Sequence, residues 1–149
     1  MNSTNTFLVI LPTYNESANL GRLVPSILEI DKRIDILVID DNSPDGTGSL
    51  ADTLATNNTR VSVIHRKAKQ GLGTAYLEGF NWGLRKHYSH FIEMDADFSH
   101  RPEDLVGFLD RSSDYKIVLG SRYLNGRVTV INWPMGRLLI SYFGSWYAR

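Results

Sequence analysis

Five short apolar runs, separated by segments of helical period, constrain this chain more than any other feature. Residues 7–11 (FLVIL), 34–39 (IDILVI), 61–64 (VSVI), 91–94 (FIEM) and 117–119 (IVL) are nearly continuous rather than strictly alternating. Such runs read as strands whose sheet is covered on both faces. Between the first two, Leu20, Leu23, Val24, Ile27 and Leu28 recur at i, i+3, i+4, i+7 and i+8, a helical stripe in which Pro25 is expected to kink the helix or delay its start. Helices are predicted over 49–57 and 74–87. Pro102-Glu103-Asp104 opens a fourth, with proline suited to the first turn and acids to the positive end of the dipole.

Strand–helix alternation of this kind implies an α/β fold, a mostly parallel sheet with helices on both faces. With 149 residues the chain is expected to form a single domain, 1–149. The absence of cysteine excludes a disulfide scaffold, a thiolate metal site and a cysteine nucleophile. No apolar run approaches the roughly 18 residues of a membrane span, so a soluble, cytoplasmic protein is expected. The formal net charge of zero conceals an asymmetry: residues 115–149 hold five basic residues and no acidic ones, leaving 11 basic against 16 acidic groups in the first 114. The same tail carries seven of the 16 aromatic residues. That tail reads either as a docked helix with solvated charges or as a surface for an anionic ligand or an interface. Within it, Met135, Leu138, Leu139, Tyr142, Phe143 and Trp146 form one apolar stripe, predicting an amphipathic helix over about 133–149. It is expected to pack on the sheet, or to meet a further segment or a membrane surface.

In parallel α/β sheets ligands bind beyond the carboxyl ends of the strands, so the residues after each run are the candidates. Pro12-Thr13-Tyr14-Asn15-Glu16 reads as a polar turn, or as Tyr14 against a flat ring with Glu16 on a donor. Asp40-Asp41-Asn42-Ser43-Pro44-Asp45-Gly46-Thr47 contains turn chemistry, yet two adjacent carboxylates repel each other. One is expected to lie buried under loop amides while Asp41 reaches a base or ribose. Arg66-Lys67-Ala68-Lys69-Gln70-Gly71-Leu72-Gly73 reads as a solvated turn, or as a phosphate-facing or gating loop; it is not a P-loop, because no Gly-Lys-Ser/Thr follows. In Asp95-Ala96-Asp97, side chains i and i+2 share a face and aim two hard oxygen donors the same way. A divalent cation completed by phosphate oxygens fits them, and His100 reads as a supporting or capping group. After the last run, Arg122 reads as a phosphate contact or as the partner of an acid; Arg137 reads as a second phosphate contact or a surface charge.

Taken together, these stretches, with Gly71-Leu72-Gly73-Thr74-Ala75 and Gly120-Ser121-Arg122-Tyr123, occur in the order and spacing of a known family. The chain resembles the family 2 glycosyltransferases of GT-A (Rossmann-like) fold, and within them the polyprenol-phosphate (dolichol-phosphate) mannosyltransferases. The resemblance implies an inverting transfer of mannose from GDP-mannose to a polyprenyl phosphate, at the cytosolic face of a membrane. It implies that Pro12, Tyr14, Glu16, Ile39 and Asp41 line the nucleoside pocket. Asp95 and Asp97 would hold Mg²⁺ or Mn²⁺ on the diphosphate with Ala96 beside them, and Arg122 and Arg137 would contact phosphates. Asp97 and Arg122 are thereby the expected catalytic residues. Some members carry Gln where this chain has Ser99, a weaker or water-mediated ligand, which leaves Asp95 and Asp97 as the metal set. Complete members continue beyond the point where this chain stops, so it is expected to be the donor-binding portion of a longer enzyme or a naturally short relative, without the acceptor-side segment.

Two other readings belong beside this one. A UDP-glucose-dependent polyprenyl-phosphate glucosyltransferase uses a similar frame, and a non-catalytic nucleotide-sugar-binding fragment would bind donor without turnover. A phospho-accepting signalling domain would place its acid pair after the first strand, where this chain has Pro12-Thr13. Nucleic-acid binding is not expected from a chain of zero net charge with no basic stripe.

Overall fold

The computed structural model describes residues 6–121, 123–124, 127–128, 135–136 and 140–141. The chain divides into two compact units, Met1–Val118 and Leu119–Arg149. In the first, the elements run β1 (Phe7–Thr13), α1 (Ser17–Ile30), β2 (Ile34–Asp40), α2 (Thr47–Asn57), β3 (Val61–His65), α3 (Leu72–Arg85), β4 (His90–Glu93), a 3-10 turn (Pro102–Asp104) and α4 (Leu105–Arg111). The four strands form one parallel sheet in the order β3-β2-β1-β4. In the second unit, β5 (Tyr123–Leu124) pairs antiparallel with β6 (Arg127–Val128). Positions 135–136 and 140–141, inside the helix expected over 133–149, are helical; the rest of that segment, with Arg137, lies outside the described residues, as does Arg122.

Alternation along the strands divides the core. Phe7, Val9, Leu11, Ile34, Ile36 and Val38 face α1, α2 and α4, meeting Leu20, Leu23, Val24, Ile27, Ala51, Leu105 and Leu109. Leu8, Ile10, Leu37 and Ile39 face α3, meeting Ala75 and Tyr76. Side chains at i and i+1 point to opposite faces of a strand, so a run such as FLVIL must be apolar throughout when helices cover both. The faces are filled differently. On the α1 side large aliphatic chains fill the gap. On the α3 side the helix comes close enough that a Cβ at Gly79 would lie 2.7 Å from Ile10 Cγ2, and one at Gly83 would collide with Phe91 and Leu8.

Two expectations change. Pro25 does not delay the start of α1, which begins at Ser17 and runs through it. Pro25 and Gly21 both lie on the solvent face, so water can take up the Gly21 carbonyl that loses its i+4 donor. The strand expected at 117–119 is absent: residues 117–120 are irregular, and Ile117 is 77% exposed. Three apolar residues fall short of the usual five or six of a strand, and such a run needs a ladder partner to hold it.

Candidate active site

Parallel register places the strand ends at one edge. Thr13, Asp40 and His65 stand in a single row across β1, β2 and β3. Ile10 is level with Glu93 of β4, so the segments after all four strands emerge on the same rim.

The loops after β1 and β2 are tied together. Asp40 is buried; its Oδ1 accepts from Ser43 Oγ at 2.6 Å and Thr13 Oγ1 at 3.3 Å, and its Oδ2 accepts from the Ser43 amide at 3.1 Å. Ser43 Oγ in turn accepts from the Asn15 amide at 3.0 Å. Asp45 accepts from the Thr47 hydroxyl and amide at 2.6 and 3.0 Å and from the Ser17 amide at 3.1 Å. The Thr47 hydroxyl leads among these bonds in holding the Asp45 carboxyl well below its ordinary range. The Glu16 amide donates to Thr47 Oγ1, and the Glu16 carboxylate accepts from Asn19. Asn15 and Asn42 both adopt left-handed φ, at 61° and 58°, a conformation Asn tolerates better than most residues. Asp40 is thus the carboxylate held under loop amides, as the paired acids require.

Asp41 does not lie open. It is buried against Arg66, which is 7% exposed, with Arg66 Nε 3.2 Å from Asp41 Oδ1. The alignment is not that of a hydrogen bond, and among the described residues Asp41 Oδ1 and Arg66 Nη1 are both buried without one. Arg66 also donates to Thr74 Oγ1 at 2.7 Å and lies 3.7 Å from Glu78 of α3. The sequence alone puts Arg66 in a solvated turn or in a phosphate-facing or gating loop, and neither gives it this role. Its one signal is position, directly after a strand and level with the acid pair of the next.

The other predicted residues divide by depth. Tyr14 is 38% exposed, with Lys69 Nζ 4.2 Å from its ring centroid. Pro12 is half-buried; Ile39 and Ala96 are core residues, Ile39 under α3 and Ala96 on the opposite face of the sheet. Ile39 therefore presents no side-chain surface to the rim. Asp97 is exposed and Asp95 half-buried. Burial would raise the Asp97 carboxyl, but bonds from Ser99, whose amide donates at 2.8 Å, outweigh it and leave the group lowered and ionised. The Asp95 amide donates to His100 Nδ1 at 3.1 Å, which assigns the neutral ring's proton to Nε2, 3.9 Å from Asp95 Oδ2. His100 thus caps the loop that carries both acids. Tyr76, reaching up from α3, has its hydroxyl pushed up first by burial and then by the Asp95 and Glu93 charges.

Among the described residues no three His, Asp or Glu side chains converge on one point. Two ionisable hard-oxygen donors at a strand end nonetheless suit a small divalent cation, which takes one or two carboxylates and completes its shell with phosphate oxygens and water. No described helix is long and apolar enough to cross a membrane.

Fold and rim together define an α/β protein whose acidic carboxyl edge is the candidate ligand site. The chain belongs to glycosyl transferase family 2, which it matches over residues 8–148, across both units. It is 51% identical over 98% of its length to a polyprenol monophosphomannose synthase of Mycolicibacterium smegmatis, of which it spans 56%. It is 46% identical over 95% of its length to an undecaprenyl-phosphate mannosyltransferase of Micrococcus luteus, spanning 58% of that protein. The chain therefore covers little more than half of these curated relatives. Among solved structures, a mannosyltransferase from Pyrobaculum calidifontis in complex with GDP-Man and Mn²⁺ superposes with a TM-score of 0.59 at 24% identity, over 75% of this chain and 33% of the other. That likeness places the fold in the GT-A class.

Proposed function

We propose that this chain is the donor-binding part of an inverting glycosyltransferase that moves mannose from GDP-mannose to a polyprenyl phosphate, forming a β-linked polyprenyl phosphomannose. Family membership and the relatives' names support the reaction class. The observation that supports the binding site is the ion pair at the rim: Arg66 Nε lies 3.2 Å from Asp41 Oδ1, yet Asp41 Oδ1 and Arg66 Nη1 are both without a hydrogen bond among the described residues. A buried polar atom without a hydrogen bond costs about 1–3 kcal/mol, and these two have opposite needs. One ligand edge presenting an N–H beside a carbonyl satisfies both, and the guanine N1–H/O6 edge has that form. Tyr14 offers an aromatic face beside it.

Asp95 and Asp97 would hold Mg²⁺ or Mn²⁺, which would supply Lewis-acid stabilisation of the departing nucleoside diphosphate. His100 and Ser99 hold the loop that presents these carboxylates. The acceptor is already an anionic phosphate oxygen, so no strong general base is required of the rim. Its main task is charge stabilisation on the leaving group; on the family resemblance alone, Arg122 and Arg137 would contact phosphates. Use of a lipid acceptor would put the protein peripherally at the cytosolic face of a membrane, meeting it through the C-terminal region or through a further segment.

Calorimetric titration of the full chain with GDP-mannose, first with Mn²⁺ and then with EDTA, tests this. Metal-dependent binding is expected. Binding of UDP-glucose in preference would turn the reading to a glucosyltransferase. Absence of binding by either donor would overturn it.

A further inference from the structure

The segment between Arg66 and Ala75 is fastened at its root and at one point of its tip. Arg66 and Thr74 close the root at 2.7 Å, and Thr74 Oγ1 also donates toward the carbonyls of Gln70 and Gly71 at 3.1 and 2.8 Å. Residues 67–74 are all exposed. Gly71 has φ +97°, and a Cβ at Gly71 or Gly73 would meet nothing within 4 Å, so no neighbour crowds the stretch at either glycine. Its tip is held by Lys69 on the Tyr14 ring. The segment thus spans the two walls of the proposed base site, with Asp41 at its root and Tyr14 at its tip.

The ring face under Lys69 cannot carry an ammonium and a flat base together. An exposed cation–π contact is weak, and a diphosphate is a stronger partner for an ammonium than an aromatic face is. We propose that Lys69 is a charge-responsive latch of the donor site: it alternates between the Tyr14 ring and the anionic diphosphate, so that the phosphates of the donor release the ring on which its base stacks. The proposal rests on the reading of this rim as a nucleotide-sugar site and adds a residue that discriminates nucleotide from nucleoside. A nucleoside must displace Lys69 without giving it a new partner, whereas a nucleoside diphosphate supplies one.

The test compares guanosine and GDP binding by calorimetry in the full chain with Mn²⁺, for the unaltered protein, Lys69→Met and Lys67→Met. Methionine retains a long apolar stem without charge, and both positions are exposed, so equal melting temperatures are expected. In Lys69→Met, guanosine should bind about two- to fivefold tighter, the worth of an exposed cation–π contact. GDP should bind about fivefold or more weaker, for loss of a charge-assisted contact. Lys67→Met should leave guanosine unchanged. Parallel shifts of the two ligands in Lys69→Met, or no shift in guanosine, would overturn the latch while GDP binding by the unaltered chain upholds the site. Failure of the unaltered chain to bind GDP would overturn the site and the latch with it.

Discussion

The two ends of the rim are built on different principles. On the β1–β2 side the loops hold each other: Ser43, Asp45 and Thr47 bond across to Asn15, Ser17 and Glu16, and Asp40 anchors Ser43 from below. On the β4 side the acidic loop is bonded mainly within itself, Ser99 to Asp97 and Asp95 to His100. The first arrangement fixes a surface before any ligand arrives, as the proposed recognition of a flat, rigid base would demand. The second presents carboxylates whose neighbours leave oxygen lone pairs free, as would suit the proposed sharing of a cation with phosphate.

Four experiments would break or sharpen that contrast. Arg66→Met should have the largest effect, lowering stability by about 3–5 kcal/mol because it leaves Asp41 buried and unpaired; urea unfolding measures it. Asp97→Asn should weaken metal-dependent GDP-mannose binding by about a hundredfold through loss of a charged ligand, with the melting temperature nearly unchanged because the side chain is exposed. An equal loss of stability in that variant would show that the β4 loop is as interlocked as the other side. Ser43→Ala removes two hydrogen bonds, one across to Asn15 and one to Asp40, and about 1–2 kcal/mol of stability is expected to go with them. The smallest effect concerns acid. Both Asp45 and Asp97 have carboxyls depressed from 3.8. Each therefore contributes stability that is present above that value and lost as pH falls through the folded-state value. Melting temperatures recorded from pH 5 to pH 2 should show a shallower acid slope in Asp45→Asn than in Asp97→Asn, since the Asp45 carboxyl is the more depressed; the reverse order would contradict the contrast.

Much of this was legible in the sequence, for identifiable reasons. Strands covered on both faces read as continuous apolar runs, and α1 wears its buried face as a periodic stripe of large residues. The rim loops announced themselves because acids, glycines and prolines gather directly after the strands, although Asp40 and Asp45 prove to hold the loops themselves. What stayed hidden depends on distance in three dimensions. Arg66 follows β3, Asp41 follows β2, and only the parallel register makes them a pair. The inner face of α3 is partly marked by glycines, which carry no hydrophobic signal, while Leu77 and Leu84 point outward at 62% and 60% exposure. Residues 117–119 carry the composition of a strand but have no strand beside them among the described residues.

The close seating of α3 has a consequence for anyone wishing to make this protein more robust. Replacing helix glycines with alanine is a standard route to thermostabilisation, worth about 0.4–1 kcal/mol where the site has room. Gly79 and Gly83 close that route, because the added methyl would press on Ile10 or on Phe91 and Leu8. Gly73, near the helix start, has open space. In this helix the permissible improvement lies next to the segment that carries Lys69, so any gain in heat resistance there would have to be weighed against the freedom of that segment.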